Sequence, residues 1–185
     1  MALDFIVIGG GSGGSACAKR AAEYGAKVVL VERGASRDAV GRRMGAGVGG
    51  TCVNVGCVPK KLMYSAAHHR EMMVGSASTA AGYGFDVPSS AGRVDWPRLK
   101  AARDNEVKRL NGHYESSWKK LGIEVVTGLA SFVDKHTVAV ELPGAAEPQL
   151  LTAPHILIAC GGEPAMLDMP GGELAISSDG FFDLP

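Results

Sequence analysis

The stretch DFIVIGGGSGG, residues 4–14, decides how the rest of the chain is interpreted. Residues 4–8 are a short apolar run of β-branched and aromatic types, and glycines follow at once. An alanine-rich stretch, SACAKRAAEYGA, comes next, so the pattern predicts a strand, a tight turn and a helix that ends near Gly25. Residues 27–32, KVVLVE, have the length and composition of a buried parallel strand. Together these segments predict a βαβ unit.

Three glycines of this stretch, Gly9, Gly11 and Gly14, fit the spacing G-x-G-x-x-G between a strand and a helix. Gly9 allows a tight turn, Gly11 lets a pyrophosphate approach the backbone at the helix N-terminus, and Gly14 lets the helix pack on the strand. Glu32 follows at the end of the next strand, where it can accept hydrogen bonds from a ribose diol. A glycine-rich turn without a ligand is disfavoured, because the glycine spacing, the strand and helix on either side and the position of Glu32 all fit a dinucleotide site. The pattern does not decide which dinucleotide binds, and Arg33 alone is weak support for a 2′-phosphate.

Composition limits the partners. The chain has 185 residues, 46% of them hydrophobic and 21% charged, and its formal net charge is zero. This suits one globular domain with a hydrophobic core. Nucleic acid and anionic membranes attract an excess of Lys and Arg, so neither is expected as a partner. The N-terminus shows neither a secretory signal nor a membrane span, and the cytoplasm is the default compartment, with an organelle as the alternative if a transit peptide precedes the sequence.

The remainder of the chain predicts a mixed α/β domain. Residues 33–50 are rich in Gly and Arg and predict a loop, and a helix is expected after Pro59. Residues 96–122 predict a long amphipathic helix, and IEVVTG, HTVAVEL and HILIAC predict strands. Residues 161–185 predict no complete element. One helical stripe runs through residues 96–122 and consists of Leu99, Arg103, Val107, Leu110, Tyr114 and Leu121.

Two of the chain's four cysteines, Cys52 and Cys57, lie five positions apart in GGTCVNVGCVPKK, residues 49–61. In a regular helix such residues have Cα atoms about 8–9 Å apart, beyond the limit of roughly 7 Å for a disulfide. A bridge therefore needs distorted backbone, which Gly56 can supply. A strained, accessible bridge exchanges readily. Two unpaired thiols remain an alternative, and a metal site is not expected because no second cysteine pair follows.

A lysine near the pair, Lys60 rather than Lys61, is expected to lower a thiol pKa and to favour a developing anion on an adjacent ring. Cations at a helix N-terminus are unfavourable for the helix itself. An anionic or electron-rich partner is therefore expected beside Lys60.

These motifs, with HILIACGG and ISSDGFF, resemble the N-terminal, FAD-binding part of the flavoprotein disulfide reductases (class I pyridine nucleotide-disulfide oxidoreductases), and within them the glutathione reductases. The resemblance covers nearly the whole chain. It implies a three-layer, Rossmann-like α/β fold with a parallel sheet, inserted helices and a small antiparallel β element. It also implies a truncated protein: residues 1–161 as the FAD-binding domain with the redox disulfide, residues 162–185 as the connection toward a missing NADPH-binding domain, and an absent dimer-interface domain.

The resemblance further implies that NADPH reduces FAD, that FAD reduces a Cys52–Cys57 disulfide, and that the dithiol reduces glutathione disulfide in cell redox homeostasis. Cys52 is then the interchange thiol, Cys57 the thiol next to the flavin, and Lys60 the third catalytic residue. The residues implied to bind FAD are Gly9, Gly11, Ser12, Gly13, Gly14, Glu32, Thr51, Cys52, Lys60, Ala130 and Gly161.

Glutathione itself is implied to contact Ser12, Lys19 and Tyr114. Lys19 stands where an Arg is expected, which keeps the charge but loses the bidentate fork. Cys160 stands where the family often has Thr. A homodimer is implied for the full-length protein. The alternatives are a thioredoxin or trypanothione reductase of the same family, or a catalytically inert FAD-binding fragment, and the isolated chain is expected to be inactive.

Overall fold

The computed structural model describes residues 2–37, 43–82, 84 and 93–185, with the backbone alone for residues 37, 43, 44 and 74–82. Its elements follow the chain as β1 (Phe5–Ile8), α1 (Ser12–Glu23), β2 (Val28–Glu32), β3 (Ser36–Arg37), β4 (Arg43–Met44), α2 (Gly50–Asn54), α3 (Cys57–Gly82), α4 (Trp96–Lys120), β5 (Glu124–Thr127), β6 (Leu129–Phe132), β7 (Thr137–Glu141), β8 (Gln149–Thr152), β9 (His155–Ile158), a 3₁₀ turn (Gly172–Leu174) and α5 (Ser178–Phe181).

A parallel sheet in the order β5-β2-β1-β9 forms the centre of the described part of the chain. The central register places Phe5 beside Val28 on one side and beside His155 on the other. Strand β2 is buried along its whole length, as expected for an inner strand covered on both faces. The βαβ unit predicted from residues 4–32 is therefore confirmed.

Helices cover one face of this sheet. Val7, Leu30 and Ile123 share a buried core with Ala18 of α1 and Trp118 of α4. The Trp118 indole is fully buried, and its Nε1 donates a hydrogen bond to the Ser15 hydroxyl at 2.9 Å. The predicted stripe of α4 omitted Trp118, although this residue follows Tyr114 at the helical spacing of four.

An antiparallel sheet in the order β6-β7-β8 covers the other face. Alternate side chains of the central strands, such as Ile6, Val29 and Val31, meet Val138 and Val140 of β7 in a second core. The predicted three-layer α/β fold with a small antiparallel element is thus confirmed. Strands β6 and β8 were not predicted, because four residues with exposed positions carry little period-2 signal.

The prediction of a loop throughout residues 33–50 is wrong in part. Strands β3 and β4 pair in antiparallel register, with Ser36 opposite Met44, and α2 begins at Gly50. Residues 38–42, which belong to the same prediction, lie outside the described residues. Strands of two residues are too short to show a hydrophobic period, which explains why the sequence pattern did not reveal them.

Helix boundaries agree with their local signals. Helix α4 starts at an Asp95 cap, whose carboxylate accepts a hydrogen bond from Arg98 N at 3.0 Å. Helix α3 begins at Cys57, three residues before the predicted start, and Pro59 is tolerated because it lies in the first turn. Residues 161–185 also contain more structure than predicted, namely the 3₁₀ turn and α5. Within the described residues, no helix has the length and apolar character needed to cross a membrane.

Candidate functional site

The turn between β1 and α1 brings three strands and a helix so close that it requires glycine. A Cβ on Gly9, whose φ is +107°, would lie 2.3 Å from the carbonyl oxygen of Ala159, beyond the end of β9. A Cβ on Gly14 would lie 1.9 Å from the Gly9 carbonyl oxygen. The predicted roles of Gly9 in the turn and of Gly14 in close packing are what the geometry requires. Helix α1 has no side-chain cap and no acid in its first turn, so its N-terminus suits an anion.

Glu32 fixes the far side of this turn. The residue is 8% exposed. Its carboxylate Oε2 accepts a hydrogen bond from Gly10 N at 2.7 Å, and Oε1 accepts one from Gly34 N at 2.8 Å. Each carboxylate oxygen keeps a second lone pair. The acid is therefore held at the end of β2 with acceptor capacity left for the predicted ribose diol.

A cleft of about 800 Å³ opens at the carboxyl ends of β1, β2 and β9, where nucleotides bind in sheets of this kind. Its lining comes from the glycine turn, the segment after β2, the cysteine segment, the start of β6 and the segment after β9. Predicted site residues that line it are Gly9, Gly11, Ser12, Gly13, Glu32, Thr51, Cys52, Cys57, Ala130 and Gly161. A smaller cavity of about 500 Å³ beside α4 and β5 shares only Glu32 with this set, so we take the larger cleft as the site.

The two cysteines reach this cleft because the backbone breaks between them. Helix α2 ends at Asn54, and α3 begins at Cys57. A Cβ on Gly56 would lie 2.8 Å from the Thr51 carbonyl oxygen, so the turn requires glycine there. The reason is close approach, whereas the sequence pattern predicted a need for backbone freedom, and Gly56 does not have a positive φ. Both cysteines are free thiols in the structure, and the disulfide between them stays a prediction.

The neighbouring Cys57 perturbs the pKa of Cys52. The pKa of Cys52 is raised above its ordinary value, chiefly by a side-chain hydrogen bond with Cys57 and next by burial. The backbone N–H of Cys57 and the charge of Lys60 act in the opposite direction and are outweighed. Lys60 thus favours the Cys52 thiolate, as predicted for a neighbouring ammonium, but the net shift of the Cys52 pKa is upward.

Comparison with known proteins agrees with this geometry. The sequence profile described as pyridine nucleotide-disulphide oxidoreductase matches residues 3–183. The chain belongs to this family. Glutathione reductase of Schizosaccharomyces pombe is 46% identical over 183 residues, and glutathione reductase of Yarrowia lipolytica is 46% identical over 187 residues. Each match covers 98% of this chain and 36% of the relative, so the chain spans about a third of the length of these relatives.

The residues present fit the dinucleotide of this oxidoreductase family. The glutathione reductases use FAD and NADPH, and the domain that this chain matches is the FAD-binding one. The N-terminus of α1 has no side-chain cap and lies next to glycines, so a phosphate can approach the backbone there. Glu32 is held in a position where it can accept hydrogen bonds from a ribose. Nothing within 4 Å would meet a Cβ on Gly13 or Gly161, so the cleft is open at both positions.

Two predicted FAD contacts lie outside the cleft lining. Gly14 is buried beneath the turn and serves the packing of α1. Lys60 is exposed in the first turn of α3, where its backbone N–H donates to Gly56 O at 3.0 Å. Its influence on the site is through its charge on Cys52.

The predicted glutathione contacts fall in two places. Lys19 of α1 and Tyr114 of α4 meet, with the Lys19 Nζ 5.9 Å from the centre of the Tyr114 ring. Tyr114 in turn packs edge-on against Trp118, at 5.9 Å between ring centres. Ser12, by contrast, begins α1 and lines the cleft. The amphipathic period of α4 was sufficient to predict the inward position of Tyr114.

Sequence reasoning missed an ion pair across the cleft. The Arg33 guanidinium, just after β2, pairs with the Glu163 carboxylate, just after β9, and both residues line the cleft. The guanidinium considered for a 2′-phosphate is therefore engaged by an acid of the chain. No local signal connects residues so far apart in sequence. Among the described residues, no three His, Cys, Asp or Glu side chains are grouped as a metal site would require.

Proposed function

We propose that this chain is the FAD-binding, N-terminal part of an NADPH-dependent glutathione-disulfide reductase whose redox-active pair is Cys52 and Cys57. One observation carries the proposal: both cysteines line the same cleft as the glycine turn and Glu32. A dinucleotide and a dithiol that share one cleft can exchange an electron pair without a further carrier.

FAD, when bound, supplies the two-electron chemistry that links NADPH to the cysteine pair. The chain's own residues would hold it: the turn Gly9–Gly13 would face the pyrophosphate and Glu32 would accept from the ribose, while Thr51, Ala130 and Gly161 line the rest of the cleft. Lys60 adds a positive charge that stabilises the Cys52 thiolate.

The sulfur chemistry balances on the two cysteines alone. The Cys52–Cys57 disulfide takes up an electron pair and two protons and becomes the dithiol. The Cys52 thiolate attacks one sulfur of glutathione disulfide, forms a mixed disulfide and releases one glutathione, which takes up the Cys52 proton. Cys57 then attacks the Cys52 sulfur, re-forms the intramolecular disulfide and releases the second glutathione with the remaining proton.

Charge supports an anionic substrate. Lys19 places an ammonium next to Tyr114, and a cation there attracts the carboxylates of glutathione disulfide while it repels a substrate of net positive charge such as trypanothione disulfide. The homodimer and the separate NADPH-binding domain are proposed on the resemblance. The cytoplasm is proposed as the compartment because thiols are kept reduced there.

We further propose the domain boundary near residue 161. Strand β9 completes the parallel sheet at Ile158, and residues 161–171 are exposed throughout. A segment with this exposure suits a connection between domains. Residues 1–161 would then form the FAD-binding domain and residues 162–185 the start of the path to the next one.

The test uses the complete gene product, with NADPH oxidation measured against glutathione disulfide, an oxidised thioredoxin and trypanothione disulfide. We expect turnover with glutathione disulfide and loss of it in Cys52→Ser and Cys57→Ser. Cys17→Ser is the matched control, because Cys17 lies on α1 outside the cleft lining. In Cys57→Ser, mass spectrometry should find glutathione attached to Cys52.

The outcomes separate the alternatives. Turnover with thioredoxin but not with glutathione disulfide would move the protein to another branch of the family. Bound flavin without turnover of any disulfide would identify an inert FAD-binding protein. Full activity in Cys57→Ser would overturn the disulfide relay itself.

A further inference from the structure

Two asparagine side chains tie the segment between the cysteines to α4. The Asn54 amide Nδ2 donates to Val48 O at 2.8 Å and to Gly50 O at 2.9 Å. Asn111 of α4 donates through Nδ2 to the same Val48 carbonyl at 2.7 Å and to Asn54 Oδ1 at 3.1 Å. We name Asn54 and Asn111 with the Val48 carbonyl the asparagine clamp.

The clamp acts at the point where the spacing of the cysteines is set. Helix α2 has five residues, too few to hold its shape by its own hydrogen bonds. Asn54 is its last residue, two positions after Cys52 and three before Cys57. By bonding back to Gly50 and Val48, Asn54 closes the helix into a compact turn, and Asn111 holds that turn from outside.

Neighbouring contacts leave the turn little freedom once Asn54 is placed. Val55 N donates to Thr51 O at 2.9 Å, and Gly56 lies so close to the Thr51 carbonyl that a Cβ would not fit. Val53 and Val55 are buried. The position of Asn54 is therefore transmitted to the backbone of Cys57, while Cys52 stays on the α2 turn that Asn54 closes.

The geometry points to Asn111 as a positioning residue that, through Asn54, holds the Cys52 and Cys57 sulfur atoms within bonding reach and thereby sets the midpoint potential of the pair. This rests on the proposed function only in that the pair must be a redox couple. Two thiols held together have a high effective concentration toward each other, which favours the disulfide. Loosening the clamp lowers that concentration and favours the dithiol.

The experiment measures the midpoint potential of the pair in the complete gene product. The protein is equilibrated in dithiothreitol redox buffers, and free thiols are alkylated. Mass spectrometry of the peptide that contains Cys52 and Cys57 then gives the fractions of dithiol and disulfide. Asn111→Asp keeps the shape of the side chain but replaces its donors by acceptors, which repel Val48 O and Asn54 Oδ1. We expect the equilibrium to shift toward the dithiol by roughly tenfold, a potential less negative by about 30 mV.

A double-mutant cycle tests whether Asn111 acts on the cysteine pair through Asn54. If Asn111 acts through Asn54, then Asn54→Ala, Asn111→Ala and the double variant shift the potential by similar amounts instead of adding. Asn105→Asp is the matched control, because Asn105 is an exposed asparagine on the same helix. The midpoint potential of the cysteine pair in this variant should equal that of the parent protein. If Asn111→Asp fails to fold, Asn111→Ser, which keeps one donor, gives an intermediate shift.

Two results would overturn the inference. Unchanged potential in Asn111→Asp and Asn111→Ala shows that the clamp does not position the thiols. Additive shifts show that Asn111 does not act through Asn54. Failure of the proposed function is recognised separately, because then the parent protein itself shows no reversible disulfide between Cys52 and Cys57.

Discussion

At the residue scale, the state of Cys52 is a balance between its neighbours. The Cys57 side chain and burial raise the Cys52 pKa, whereas the Cys57 backbone N–H and the Lys60 ammonium lower it. The thiol thus depends on groups that a substitution can remove one at a time. The direction in which the Cys52 pKa moves when one group is removed follows from the effect that this group had.

Opposite substitutions should move the Cys52 pKa in opposite directions. Lys60→Met removes a charge that stabilises the thiolate and should raise the pKa. Cys57→Ala removes the largest raising contribution and should lower it. The measurement is the pH dependence of iodoacetamide alkylation at Cys52 in the reduced protein, followed on its peptide by mass spectrometry. Lys61→Met is the control, and a shift equal to that of Lys60→Met would contradict the specific role of Lys60.

At the element scale, the junction of β1, α1 and β9 depends on the absence of two side chains. A Cβ on Gly14 would overlap the Gly9 carbonyl oxygen, whereas a Cβ on Gly13 would meet nothing within 4 Å. Both residues lie in the first turn of α1. Because their surroundings differ, alanine substitutions at the two positions distinguish the effect of packing from the effect of helix propensity.

Gly14→Ala should prevent α1 from packing closely against β1. We expect a loss of about 3 kcal/mol or more in the free energy of unfolding, comparable to severe overpacking, or no folded protein at all. Gly13→Ala should be neutral or stabilising by up to about 1 kcal/mol, because Ala favours the helix. Urea denaturation of the two variants compares them directly. Equal stability would show that the close approach of α1 to the Gly9 carbonyl is not needed.

Elements with long or specific local signals were predictable, and those defined by contacts were not. The glycine turn, Glu32 and the cysteine segment carry spacing that sequence alone displays. The Arg33–Glu163 pair and the Asn111–Val48 bond join residues that become neighbours only when β9 and α4 take their places. Trp118 was within reach of the pattern, since it lies on the stripe of α4 between Tyr114 and Leu121.

At the scale of the whole molecule, a buried arginine fastens the C-terminal segment to the helices. Arg103 of α4 is 3% exposed. Its guanidinium donates to Asp104 and to the Phe182 carbonyl at 2.7 Å, and lies against the Phe182 ring. Burial raises the Asp104 pKa, but hydrogen bonds from Lys100 and Arg103 outweigh it and hold the pKa below its ordinary value. The segment around Phe182 is thus anchored to α4 by a charged contact.

Arg103→Met should release that segment while keeping most of the volume. Losing a charged hydrogen bond to Phe182 O favours local opening by about 1.5–3 kcal/mol. Amide hydrogen exchange over residues 178–185 should therefore quicken about tenfold or more in the complete gene product. Arg98→Met, at an exposed arginine of the same helix, is the control. Unchanged exchange in Arg103→Met would show that other contacts hold the segment.

The central claim is that the dinucleotide cleft and the cysteine pair form one electron-transfer unit. The most direct test is an anaerobic reductive titration of the complete gene product, followed by its visible flavin absorption, in the parent and in Cys57→Ser. We expect the parent to take up one more electron pair per flavin than the variant, and glutathione disulfide to withdraw that pair. Equal uptake by the two proteins, with flavin bound in both, would contradict the claim.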